Sequence, residues 1–245
     1  MKERLDKVLV ERGLAQSRER AKALIMEGKV LVEGRPETKP GALVGGDSAV
    51  SLKGEDIPFV SRGGVKLKAA LDHFGVRVQG KSAMDVGAST GGFTDCLLSM
   101  GASKVFAVDV GYGQFDWRLR NDPRVVLLER TNIRHLERDR VPGALDMAVI
   151  DVSFISLTKV VPRVVEFLRP WGEILALIKP QFEVGKGEVG KGGVVRDEGK
   201  RLSAVESLRA AFRSMGLEDL GTMESPVRGQ KGNVEYFIYL RLSGG

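Results

Sequence analysis

Cysteine and histidine are almost absent from these 245 residues: there is one cysteine, Cys96, and there are two histidines, His73 and His135. A lone thiol cannot close an internal disulfide, which removes the disulfide-stapled secreted scaffolds, and so few histidines leave a thin supply of metal ligands; no metal site is expected. Cys96 lies in an apolar run after a glycine cluster, where packing is the ordinary role of a thiol. Long hydrophobic runs are missing as well. No stretch approaches the roughly 20 apolar residues that a spanning helix needs, so no membrane span is expected. The opening MKERLDKVLVERG is charged where a secretory leader would carry a continuous apolar core, which makes the cytoplasm the expected compartment. Positive charge, by contrast, is in excess: 38 Lys and Arg face 32 Asp and Glu, a net +6 that leans towards a polyanionic partner.

The length suits one full α/β domain plus something small. Leu5, Val8, Leu9 and Leu14 space helically, and Ser17 can cap a second helix from Arg18 to Met26. Strands at Lys29 to Glu33 and Ala49 to Leu52 follow, with turns at Gly34 and Gly45-Gly46-Asp47. From Lys53 to Gly64 the chain is polar and turn-rich. Residues 1–58 therefore read as one module, 59–64 as a linker and 65–245 as a larger domain. In the latter a helix from about Val65 to Phe74 leads into apolar runs at Ala83 to Val86, Val105 to Asp109, Val125 to Glu129, Asp146 to Asp151, Ile174 to Ile178 and Val234 to Leu242. Stretches such as Leu157 to Leu168 and Arg201 to Met215 have the spacing of crossover helices. Such alternation predicts an α/β fold with a mostly parallel sheet covered on both faces and ligands at the carboxyl ends of its strands.

The first of those strands ends at Asp85-Val-Gly87 and runs through Ala88, Ser89, Thr90, Gly91, Gly92 and Phe93 into a helix. Glycines there let backbone approach a ligand and leave helix N-terminal amides free. The next strand ends in Asp109, placed to accept hydrogen bonds from ribose hydroxyls. Glycines at 87, 91 and 92 do not fit the dinucleotide fingerprint G-x-G-x-x-G; they suit an acidic-x-Gly-x-x-x-Gly loop of the methyltransferase type. By itself the cluster also fits a loop whose glycines are there only for steric reasons.

Two further apolar runs end in charge, at Asp151 and Lys179. Glu235 stands near the start of the late strand, and Lys66 lies on the Gly63-Gly64 helix entry. Ionisable groups at a buried edge are costly unless they pair, so these four are self-consistent as a cluster. Methyl transfer to a weakly acidic ribose 2′-hydroxyl calls for such a set. Lys179 is the candidate base, Lys66 the neighbouring positive charge, and Asp151 and Glu235 the groups that fix geometry. A free lysine has a pKa of about 10.4, so such a base works only where its surroundings keep it partly neutral. Two ordinary salt bridges capping the sheet remain the alternative.

The runs Asp85-Val-Gly-Ala-Ser-Thr-Gly-Gly-Phe-Thr94, Asp109-Val-Gly-Tyr-Gly-Gln114, Asn121-Asp-Pro-Arg-Val125, Glu129-Arg-Thr-Asn132, Ser153-Phe-Ile-Ser156, Lys179-Pro-Gln-Phe-Glu-Val-Gly-Lys186 and Gly232-Asn-Val-Glu-Tyr-Phe237 resemble the TlyA family. Its members are ribosomal RNA 2′-O-methyltransferases, also named haemolysins, with an FtsJ-like catalytic fold. The resemblance covers nearly the whole chain. It implies a Rossmann-like class I methyltransferase sheet with the last strand antiparallel, and S-adenosyl-L-methionine as cofactor. It also implies a catalytic set at Lys66, Asp151, Lys179 and Glu235 and a cofactor loop at Gly87 to Phe93, with Asp109 and Asn132 towards ribose and adenine. Phe59 occupies the place of an aromatic residue that links the family's two modules. The implied target is a cytidine of large-subunit RNA, in some members also of small-subunit RNA; the large subunit alone is expected here, with the protein acting as a monomer.

Residues 4–34 resemble an S4 RNA-binding domain, a small α+β fold. Ser17, Arg18, Arg20 and Lys22 lie at a helix start, where free amides and basic side chains both favour phosphate, and Arg4, Lys29 and Arg62 complete the candidate RNA set. Glu3, Glu11, Glu19 and Glu27 dilute this charge, so a solvated helical face is the competing reading. The glycine-rich stretch 185–193 reads either as a lid over the pocket or as a connector. Two rival functions remain: an RNA-binding assembly factor with a silent pocket, and a cytolysin, which would need a secretion signal or membrane-active segments.

Overall fold

Three-residue strands and two short helices make up the N-terminal part of the computed structural model, which describes residues 2–15, 17–26, 28–53, 57–185, 187–190 and 192–244. Glu27, Lys186, Lys191 and residues 54–56 of the polar boundary stretch, all used in the reading above, lie outside the described residues. The chain divides into two compact units, Met1–Ile57 and Pro58–Gly245.

In the first unit β1 (Lys2–Arg4) runs into α1 (Leu5–Glu11), then α2 (Arg18–Met26), β2 (Val30–Val32), β3 (Arg35–Glu37), β4 (Leu43–Gly45) and β5 (Val50–Leu52). β2 lies between β3 and β5, and β1 pairs antiparallel with β4. Leu5, Val8 and Leu9 of α1 meet Ala21, Leu24 and Ile25 of α2 in one buried cluster with Val30 and Val44. The Ser17 hydroxyl accepts from the Arg20 amide at 3.1 Å, the N-cap expected from its position. β1, β3 and β4 are too short for their alternation to show in the sequence.

The second unit comprises α3 (Arg62–Phe74), β6 (Ser82–Val86), α4 (Gly92–Ser99), β7 (Lys104–Val108), α5 (Trp117–Arg120), β8 (Val125–Leu128), β9 (Leu145–Ile150), α6 (Val161–Val165), β10 (Leu168–Ile178), α7 (Pro180–Glu183), α8 (Glu198–Ser214), β11 (Leu217–Glu224) and β12 (Tyr236–Leu242). Its seven strands lie in the order β11-β12-β10-β9-β6-β7-β8. β12 is antiparallel to both its neighbours, and the pairs from β10 to β8 are all parallel. The reason the strands read as unbroken apolar runs is visible in the packing. Met84, Ala148, Ile150, Ile174 and Ala176 face a cluster with Val161 and Val164 of α6 and Val205, Leu208 and Phe212 of α8. Their chain neighbours Ala83, Met147, Val149, Leu175 and Leu177 face Leu67 and Leu71 of α3 and Phe93 and Leu97 of α4. Both faces are covered, so both sets must be apolar.

Two expectations are corrected. Residues 59–64 are no linker: Phe59 is buried in the core of the larger unit, the Val60 amide donates to Asp95 Oδ2 at 2.8 Å, and α3 already begins at Arg62. Leu157 to Leu168 is not one helix. Pro162 lacks the amide that a continuing helix needs, so a short turn at Leu157–Lys159 gives way to a separate α6, and Leu168 already belongs to β10. β11 has no counterpart among the apolar runs of the sequence. As an edge strand with a register shift between Asp219 and Gly221 it carries no clear apolar alternation.

Candidate active site

Parallel strands deliver their carboxyl ends to one edge of the sheet, and the chain there changes from apolar to charged or flexible. Val86 gives way to Gly87, Val108 to Asp109, Ile150 to Asp151 and Ile178 to Lys179. β12 enters from that same edge because it runs the other way. Its pairing of Tyr236 with Ile178 brings Glu235, the residue before the strand, to the end of the ladder where Lys179 follows β10. The edge also contains the point where strand order reverses, between β6 and β9, which is where open α/β sheets place ligands.

A cavity of about 490 Å³ opens there. Gly87, Ala88, Ser89, Thr90, Gly92 and Phe93 form one wall and Ser61, Arg62 and Lys66 of the α3 entry another. Asp151, Ser153, Phe154, Lys179, Gln181 and Phe182 form a third, and Gly193, Lys231, Asn233 and Glu235 close the fourth. Gly87 has φ 86°, and a Cβ on it would lie 2.3 Å from the Asp151 carbonyl oxygen, so no side chain fits between the loop and the end of β9.

The predicted quartet is assembled as two ion pairs. Lys66 Nζ lies 2.6 Å from Glu235 Oε2, with Lys66 9% and Glu235 3% exposed. Lys179 Nζ lies 2.6 Å from Asp151 Oδ1, a contact of charge without hydrogen-bond alignment, and donates to Ser153 Oγ at 3.0 Å. All four residues line the one cavity.

Among the predicted cofactor residues, Asp85 lies beneath the glycine loop rather than on the cavity wall. Its Oδ2 accepts from Thr94 Oγ1 at 2.7 Å, while Oδ1 has no partner among the described residues. Burial pushes this carboxyl up to about 7 against the Thr94 bond, with the charge of Asp151 adding to the rise. Gly91 is buried against Phe115 and Leu119. Asp109 accepts from the Ser89 amide at 2.7 Å and from the Gly111 amide at 2.6 Å, and borders a shallow recess that meets the main cavity at Ser89. Asn132 caps the short turn after β8 by accepting from the Arg134 amide at 3.1 Å.

In the N-terminal unit Arg4 and Arg18 converge on Asp6. Arg4 Nε and Nη2 donate to its two oxygens at 3.0 and 3.1 Å, and Arg18 Nη2 to Oδ2 at 3.1 Å. Asp6 is wholly shielded while both arginines stay about half exposed. The Arg4 bond, with that of Arg18, lowers its carboxyl to about 2. Two guanidinium groups are thus held side by side at the surface. Ser17 is engaged in capping, Arg20, Lys22 and Lys29 are half-buried, and Arg62 is exposed on the cavity of the larger unit.

Several lining residues escaped the sequence reading. Ser153 and Phe154 belong to a quoted motif, but nothing in a sequence shows that Ser153 meets Lys179 or that Phe154 is 90% exposed. Asn233 ties the end of the glycine-rich stretch to the lead into β12: its Oδ1 accepts from the Val195 amide and its Nδ2 donates to the Gly193 carbonyl. Among the described residues no cluster of metal ligands occurs and no helix is long and apolar enough to cross a membrane.

The FtsJ-like methyltransferase family model matches residues 59–242 and the S4 domain model residues 3–50. The chain is 48% identical over 239 residues to the 16S/23S rRNA (cytidine-2′-O)-methyltransferase TlyA of Mycobacterium tuberculosis, covering 97% of this chain and 89% of that protein. It is 39% identical to Hemolysin A of Brachyspira hyodysenteriae, over 96% of this chain and 98% of that one. A solved structure of a hemolysin-named protein from Streptococcus thermophilus matches with TM-score 0.77 at 40% identity, spanning 99% of this chain and 89% of that one.

Proposed function

The chain belongs to the FtsJ-like methyltransferase family and carries an S4 domain, and from that premise we propose that it methylates the ribose 2′-hydroxyl of a cytidine in ribosomal RNA, with S-adenosylmethionine as donor. The donor supplies an electrophilic sulfonium methyl. Gly87 to Phe93 would hold it: the backbone closes directly on β9 at Gly87, and the Asp109 carboxylate, which accepts from the Ser89 amide, stands just past the end of the next strand. Lys179 takes the proton of the 2′-hydroxyl as the oxygen bonds to the methyl carbon. On transfer the donor's carbon–sulfur bond would break and leave its electron pair on sulfur. Asp151, 2.6 Å away, stabilises the ammonium that results, and Ser153 holds the nitrogen in place. Lys66, fixed by Glu235, brings positive charge to the cavity that must receive a nucleotide. Phe154 at its mouth offers an aromatic face to a base.

The observation that carries this reading is the convergence of two lysine–carboxylate pairs on the wall of a cavity that begins at the glycine loop. Arg4 and Arg18, clamped by Asp6, suit a backbone phosphate and give the S4 unit a docking role on RNA. The cytoplasm, where ribosomes are, is the compartment in which this activity has its substrate. Large-subunit RNA is the proposed target. Incubation with tritiated S-adenosylmethionine and separated ribosomal subunits from a strain lacking the modification tests all of this: label is expected in large-subunit RNA. Label in small-subunit RNA as well would widen the substrate, and no label in either would sink the proposal.

A further inference from the structure

Phe154 has φ 63°, a left-handed backbone that a bulky aromatic residue adopts only when its surroundings hold it there. It sits between Ser153, which meets Lys179, and Ser156, and no interior apolar packing holds its exposed ring. Four contacts tie this loop, which follows β9, to the turn that follows β10. Ser153 Oγ accepts from Lys179 Nζ at 3.0 Å, and the Phe154 ring lies 4.9 Å from that of Phe182. Ser156 Oγ donates to Glu183 Oε2 at 2.6 Å, and the Leu157 amide donates to Glu183 Oε1 at 2.9 Å. Both oxygens of one half-buried carboxylate are thus committed to the neighbouring loop. Ser156 in turn caps the Leu157–Lys159 turn, and Leu157 is anchored in the core.

We propose that Glu183 is a positioning residue for methyl transfer: by gripping Ser156 and the Leu157 amide it holds the strained Phe154 turn, so that Ser153 and the Phe154 ring are presented beside Lys179. The inference rests on the methyl-transfer reading above. Glu183 touches neither the cavity nor any of the four ion-paired residues, so it acts only through the loop. Burial raises its carboxyl above the ordinary range and its two bonds oppose that rise.

Glu183→Ala removes both acceptors, and Glu183→Gln keeps one oxygen for the Leu157 amide and an amide group that Ser156 can accept from. The alanine variant is expected to lower kcat on ribosomal RNA by about tenfold or more, with affinity for S-adenosylmethionine within about twofold and a melting temperature close to that of the parent; the glutamine variant should recover to within about threefold. Hydrogen exchange over residues 152–158 should quicken in the alanine variant and not in the glutamine one. Wild-type kcat in Glu183→Ala, unchanged exchange, or a loss that falls equally on cofactor affinity and melting temperature would overturn the proposal. Should Glu183→Ala fail to fold, Ser156→Ala removes one of the same bonds and is read the same way. The exchange measurement needs no turnover, so it separates failure of this anchoring from failure of the RNA reading.

Discussion

Replacing Asp85 by asparagine is expected to strengthen the fold at alkaline pH and to leave it little changed in acid. The carboxyl has no exposed surface and one of its oxygens has no partner, and burial lifts it from an ordinary 3.8 to about 7. In the unfolded chain it ionises near pH 4 and in the folded protein near pH 7. Between those values the unfolded state binds fewer protons, so stability present below about pH 4 is lost progressively as pH rises to about 7. The gap of about three units corresponds to about 4 kcal/mol at full ionisation, of which roughly 3 kcal/mol falls between pH 5 and pH 8. Asparagine keeps an oxygen to accept from Thr94 and cannot ionise. Urea unfolding of both proteins at pH 5 and pH 8 gives the difference between them, in which their other titrating groups cancel. An advantage for Asp85→Asn that grows by a few kcal/mol between the two pH values is expected. A constant difference would mean that the folded protein accommodates the ionised carboxylate without cost.

Lys179→Ala should lower kcat by roughly 10²- to 10⁴-fold, the usual contribution of a positioned base, while cofactor binding by calorimetry stays within a few-fold; a fully active variant would remove Lys179 from the reaction. Gly229→Ala puts a Cβ 2.0 Å from Glu235 Oε1, so it should push Glu235 off Lys66, cost about 1–3 kcal/mol in unfolding experiments and lower kcat; an unaffected rate would make that ion pair dispensable. Arg18→Ala should weaken ribosomal RNA binding and reduce the slope of log affinity against log salt by roughly 0.7–0.9, with no loss of affinity for S-adenosylmethionine; an unchanged slope would take the Asp6-clamped pair out of the RNA contact.

The reaction edge was legible in the sequence because of how parallel sheets are built. Strands buried on both faces must be apolar, so Asp151 and Lys179, the first charges after such runs, mark where β9 and β10 surface. Glu235 was legible as a charge ahead of a strand, but its nearness to Lys179 depends on β12 running antiparallel, which no local pattern reveals. Asp85 reads from sequence as a cofactor contact, and only the fold shows it sealed beneath the loop. Nothing in the sequence marks the roles proposed for Asp6 and Glu183. Asp6 holds Arg18, 12 residues away, as well as nearby Arg4, and Glu183 holds Ser156 and Leu157, 27 and 26 residues away. Phe59, assigned to a linker by the polar texture around it, belongs to the core because of what it packs against.

The central claim is that the Lys179–Asp151 and Lys66–Glu235 pairs serve transfer of a methyl group to a ribose hydroxyl. Mapping 2′-O-methyl groups in ribosomal RNA after incubation with the wild-type protein or with Lys179→Ala tests it most directly. A single strong cytidine 2′-O-methyl site that appears with the wild type and is missing with the variant is the predicted result. Methylation on a base atom, or an equal signal from both proteins, would contradict it.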